Sequence, residues 1–156
     1  MQELNFVPVS AEQAKTISSG NVIPGPLVGF CANEALAATF ELAVGSEEAE
    51  HAALLVAEVA GLSRSERPIV LTCEVPRSVT AVDESEADNG GVILKELKPE
   101  WVSAFFVDDA PAGLVAAAAT AASGLSVDDA WDTPEVALLL EEDTLLWHDC
   151  SELGTL

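Results

Sequence analysis

The sequence predicts an α/β protein of the mixed α+β kind, a mixed sheet of five to six strands packed with three to four helices. Three observations lead there. Short apolar runs rich in Val, Ile and Phe are interleaved with longer segments of helical periodicity. Some intervals between those runs are long enough for a helix and others only for a hairpin, which favours a mixed sheet over an all-parallel one. The chain has 156 residues and is 49% apolar, enough for one core, so residues 1–156 are read as one domain.

The elements follow in order. "LNFVPVS" alternates and carries Pro8, which reads as a short strand at a sheet edge. Ser10 is placed to cap a helix through "AEQAKTIS" that stops at Gly20. "NVIPGP" reads as a loop and "LVGFCA" as a strand. Asn33 caps a helix through "EALAATFELAV", broken at Gly45. Ser46 caps the next, with Glu47 and Glu48 in the first turn, where the helix dipole favours anions. Ala49, Ala52, Leu55, Val56 and Val59 recur at helical spacing up to Gly61.

"SRSERP" is an exposed turn, "IVLTCEV" a strand stopped by Pro76, and "DESEADNGG" a charged, mobile loop. "VILKEL" and "WVSAFFVD" are strands. Asp108, Asp109 and Pro111 open an Ala-rich helix through "GLVAAAATAAS" that Gly124 closes. Ser126 caps a short turn of helix to Trp131. Residues 135–140, "EVALLL", fit helix and strand equally well, and "TLLWHDC" reads as a strand.

Charge separates the functional classes. The formal net charge is -21, and after Lys98 twelve acids follow with no Lys or Arg. Such a field repels phosphates and anionic lipid, which argues against direct nucleic-acid binding and against membrane association. It attracts a basic protein partner or a cation. The N-terminus lacks the pattern of a secretory leader, and no apolar run approaches membrane-spanning length. With three widely spaced cysteines and no C-x-x-C pair, neither a disulfide framework nor a structural zinc site is expected. A cytoplasmic, soluble protein with reduced thiols is the expectation.

Candidate chemistry is sparse. Glu48 and His51 form an E-x-x-H pair, but a di-iron bundle needs a second pair and further Glu residues. The expected role of Glu47, Glu48 and His51 is a solvated helix face. "WHDC" places Trp147, His148, Asp149 and Cys150 in a row. On a strand His148 and Asp149 point to opposite faces, so Asp149 cannot orient the imidazole, and the surrounding acids disfavour a thiolate. Asp108 and Asp109 follow a strong strand, where α/β proteins place ligands, but a helix N-cap with a first-turn acid is the favoured reading of the pair. No dinucleotide, P-loop, nucleophile-elbow or H-E-x-x-H pattern is present. The sequence therefore implies no catalytic residue, no metal and no cofactor. Partner or ligand contacts are sought among Glu47, Glu48, His51, Asp108, Asp109, Trp147, His148 and Asp149. The small-enzyme alternative requires Asp108, Asp109 and His148 to converge on one pocket.

Taken in order, "LNFVP", "VGFCANEALAA", "EEAEHAAL", "PIVLTCEVP", "VSAFFVDDA" and "LLWHD" resemble a family of uncharacterised actinobacterial proteins carried as a domain of unknown function. That family begins R-V-Y-x-P and continues with an E-E-x-E-Y-A-A-L helix, an H-V-D-D strand end and L-L-W-Y near the C-terminus. The resemblance runs along nearly the whole chain. Glu47, Glu48, Glu50, Asp108, Asp109 and Trp147 match, whereas His51, Phe106 and His148 stand where the family has Tyr, His and Tyr. It implies a shared fold and leaves the activity open.

Overall fold

The computed structural model describes residues 2–64 and 67–156. Seven strands form one sheet in the order β4-β5-β2-β1-β3-β6-β7, and every neighbouring pair is antiparallel. The strands are β1 (Gln2–Val9), β2 (Ile23–Phe30), β3 (Ile69–Pro76), β4 (Thr80–Val82), β5 (Gly91–Leu97), β6 (Val102–Asp108) and β7 (Leu145–Asp149). The α-helices are α1 (Ala11–Ser18), α2 (Glu34–Phe40), α3 (Glu47–Leu62), α4 (Ala112–Ala122), α5 (Val127–Trp131) and α6 (Pro134–Glu142), with four short 3-10 segments between elements.

The architecture is thus α+β, with more strands and helices than the sequence predicts and no parallel pair among the described residues. The reason lies in the connections. Helix α1 joins β1 to β2, its antiparallel neighbour, and α2 and α3 carry the chain from β2 across β1 to β3. β2 and β3 run parallel to one another but never pair, because β1 lies between them. Helical connections alone do not imply a parallel pair when a strand is interposed.

β1 is the central strand rather than an edge. It pairs with β3 along its full length, from Gln2↔Pro76 to Val9↔Ile69, but with β2 only at Phe6↔Phe30. Pro8 falls where the β1–β2 ladder has ended, so its missing N–H interrupts nothing on that side. Of "NVIPGP", Asn21 and Val22 stay outside the strand, whereas residues 23–26 enter β2 through a register shift between Pro24 and Leu27 against β5. A Cβ at Gly25 would meet the Lys95 carbonyl oxygen at 2.2 Å, so only glycine permits that approach.

Period-two alternation divides the sheet's side chains between two cores. Phe6, Phe30 and Val70 face α2–α6; Val7, Val9, Leu71, Cys73 and Phe105 face α1 and the C-terminal 3-10 segment, which contributes Leu153. Helix α3 presents Ala49, Ala52, Ala53, Ala57 and Ala60 to the first core, a stripe that permits close packing on the sheet. Ser46 caps α3 by accepting the Ala49 N–H, and Ser10 and Gln13 form a capping box on α1.

Two further expectations are settled, and a third falls partly outside the described residues. Residues 135–140 are helical, within α6, where Thr133 caps and Pro134 opens the helix. "DESEADNGG" is an anchored 3-10 turn, because Asn89 donates to Glu86 and Asp128 and the Glu86 carboxylate accepts the Val127 N–H. Of the "SRSERP" turn, Ser65 and Glu66 lie outside the described residues.

Candidate functional site

The residues nominated from sequence are dispersed over the fold. Glu47, Glu48 and His51 lie exposed on the first turns of α3. Asp108 ends β6 on the face covered by α3–α6 and is 3% exposed. Asp109 is exposed, and its N–H donates to the Thr144 carbonyl. His148 pairs with Phe105 across β6–β7 and belongs to the opposite face, its ring stacked on Phe105 at 5.1 Å. Asp108, Asp109 and His148 therefore do not converge on one pocket.

Asp108 fixes a turn. One carboxylate oxygen accepts both the Ala110 N–H and the Thr144 hydroxyl, tying the end of β6 to the segment entering β7. Helix α4 itself begins only at Ala112, with Pro111 at its cap. The Arg67 guanidinium reaches the Asp108 carbonyl at 3.4 Å.

Beneath this turn lies a group the sequence reading missed. Glu58 of α3 is 1% exposed, and its Oε2 has no donor. Its carboxyl is pushed up to about 9, first by burial, then by the hydrogen bond to Asp108 and the negative charges of Asp108 and Asp143. Burial thus favours the neutral form of the Glu58 carboxyl at neutral pH, where it sits against Asp108 and joins α3 to β6. The signal was available: Glu58 is an isolated acid inside "LLVAEVAGL", where every neighbour on the helix surface is apolar.

β7 closes one end of the sheet. Its register with β6 is unbroken, from Asp108↔Leu145 to Ala104↔Asp149. Alternation puts Leu145, Trp147 and Asp149 on one face and Leu146 and His148 on the other. Leu145 packs into the core, whereas Leu146 is 44% and Trp147 60% exposed. The strand's ends are acidic. Glu141, Glu142 and Asp143 precede it, with Asp143 in the left-handed conformation that ends α6. Asp149 and Glu152 follow it. Asp149 accepts from Ser151, which holds its carboxyl below the usual range. Glu152 reaches His148 Nδ1 at 3.6 Å.

An open cleft of about 670 Å³ lies beside the start of β1 and the end of β2. Glu3, Glu34, Glu50 and Arg77 line it over Leu4 and Phe6, and Arg77 is ion-paired with Glu3. β6 runs in the same direction as β1, so its C-terminal Asp108 lies away from this cleft.

Cys31, at the cleft, donates to the Glu3 carboxylate; burial and that charge push its thiol up to about 12. Burial also raises Cys73. Cys150 is exposed and starts the 3-10 segment, off the strand that carries His148. A disulfide-exchange reagent at neutral pH is therefore expected to titrate Cys150 alone in the folded protein and all three thiols after denaturation. Fast modification of Cys31 would contradict this assignment. Among the described residues no group of three or more His, Cys, Asp or Glu side chains is placed to hold a metal ion. No helix among them is long and apolar enough to cross a membrane.

Fold and surface together define an acidic α+β protein on a seven-stranded antiparallel sheet, with Glu58, Asp83 and Asp108 buried and most of its other described acids exposed. The chain belongs to DUF6912, a family of unknown function, whose match spans residues 5–156. No curated protein and no solved structure matches it.

Proposed function

We propose that this protein is a non-enzymatic interaction module of the cytoplasm, whose acidic surface binds a basic protein partner. The observation that carries this reading is the surplus of unneutralised carboxylates. The chain has 27 acids against 6 Lys and Arg, yet only one Lys or Arg ion pair forms among the described residues, Arg77–Glu3. Carboxylates left unpaired in this number set up a negative potential over the surface, which steers cationic partners and repels nucleic acid. The scattering of Asp108, Asp109 and His148 removes the arrangement that an enzyme reading required.

The test is recovery of partners on the immobilised protein at two ionic strengths. A basic protein retained in stoichiometric amount at about 0.05 M salt and released at about 0.5 M supports the reading, because screening shortens the range of exposed charges to a few ångströms. Retention of an acidic protein, insensitive to salt, contradicts it.

A second reading, a binder of a small molecule or divalent cation, draws support from the cleft with Glu3, Glu34 and Glu50 at its wall. It requires the melting temperature to rise with the logarithm of calcium or magnesium concentration. An unchanged melting curve up to millimolar metal removes the cation form of it.

A further inference from the structure

We infer that the free edge of β7 is the docking surface, and that it takes an extended cationic segment of the partner by strand addition, with Leu146 and Trp147 as anchors. This rests on the acidic-module reading and specifies its surface and mode.

Sheet edges in natural proteins are blunted by shortness, by Lys or Pro, or by bulges, because unpaired N–H and C=O groups recruit other strands. The sheet has two edges, and they differ. β4 has three residues. β7 has five, with no Pro, no Lys and no bulge against β6. Among the described residues no strand pairs with its outer side. Trp147 and Leu146 alternate across the two faces of this edge, so an added strand would meet one apolar side chain on each face. A large aromatic half in water at an open edge is the composition of a binding anchor rather than of a solvated strand.

Charge selects the occupant. Glu141, Glu142 and Asp143 at one end of β7 and Asp149 and Glu152 at the other place carboxylates at both ends of the added strand. Edge-to-edge pairing with a second copy would bring those carboxylates against their equivalents in a protein of net charge -21. An extended segment that alternates Lys or Arg with small apolar residues satisfies the ladder, the two anchors and the charge together.

Three probes test this on the full chain: a short peptide alternating Lys and Val, the same peptide N-methylated at alternate amides, and oligolysine of equal charge. The expected result is binding of the first at least about tenfold tighter than of the other two. Slowed amide exchange at residues 145–149 and weakening of at least about tenfold in Trp147→Ala complete the expectation. Because Trp147 is 60% exposed, the variant keeps the wild-type melting temperature. Equal binding of all three peptides, with no protection at β7, overturns the docking surface and leaves the acidic module standing. Failure of every cationic probe at low salt overturns both. Concentration-dependent self-association that protects β7 without peptide makes the edge a homodimer contact and overturns the proposal.

Discussion

Glu58→Gln is expected to be more stable than the wild type at pH 9 and to lose the wild type's decline in stability between about pH 5 and pH 9. In the folded protein the Glu58 carboxyl ionises near 9 rather than at its ordinary value of 4.5. A carboxyl raised on folding binds more protons in the native state than in the unfolded state over the interval between those values. Stability therefore falls as pH rises through that interval, by up to about 1.4 kcal/mol per pH unit for this one group. Summed over the interval the effect is on the order of several kcal/mol, a large part of a typical domain's stability. Glutamine keeps the shape and the hydrogen-bond donor to Asp108 but has no proton to lose. Chemical denaturation of both proteins across this pH range measures the difference, and subtraction cancels the common titration of the surface carboxylates. Parallel profiles for the two proteins would show that Glu58 does not titrate in the folded state as described.

The second large effect is expected at Gly90. Gly90→Ala should cost roughly 3 kcal/mol or more, whereas Gly124→Ala should cost only about 1. Both glycines have positive φ, +76° and +72°, so both alanines suffer backbone strain. Only at Gly90 is there also no space. A Cβ there would lie 2.2 Å from the Cys31 carbonyl oxygen, while nothing lies within 4 Å at Gly124. The Cys31 carbonyl cannot retreat freely, because the Cys31 N–H is bonded to the Gly90 carbonyl at 3.0 Å. The same turn holds α2 and α5, since Thr39 donates to the Asp88 carbonyl and Asn89 donates to Asp128. Paired denaturation curves give the comparison; equal losses at the two sites would remove the steric argument.

What the sequence disclosed, and what it hid, follows from the range of the forces involved. Caps are local, so Ser10, Asn33, Ser46 and Ser126 each mark a helix start that the structure contains. β3 and β6 announce themselves by short runs rich in Val, Ile, Leu and Phe. Strand order is non-local: Pro8 suggested an edge because the early end of the β1–β2 ladder cannot be read from one strand. Residues 135–140 were ambiguous because a short apolar run fits both periods, and the Thr133–Pro134 cap decides it. The exposure of Trp147 was equally out of reach, since alternation gives its face but not whether anything covers that face. Glu58 was legible from its apolar surroundings, but its partner was not, as Asp108 lies fifty residues away on another element.

Under the proposed function, outward carboxylates, not an enclosed reactive centre, carry the protein's activity. The most direct measurement is the affinity of the alternating Lys–Val peptide at rising salt, for the wild type and for Glu141→Gln combined with Glu142→Gln. A wild-type affinity that falls by more than about tenfold between about 0.05 M and about 0.5 M salt, with a shallower fall in the variant, is the result this account predicts. An affinity unchanged over that range and identical in the two proteins would contradict it.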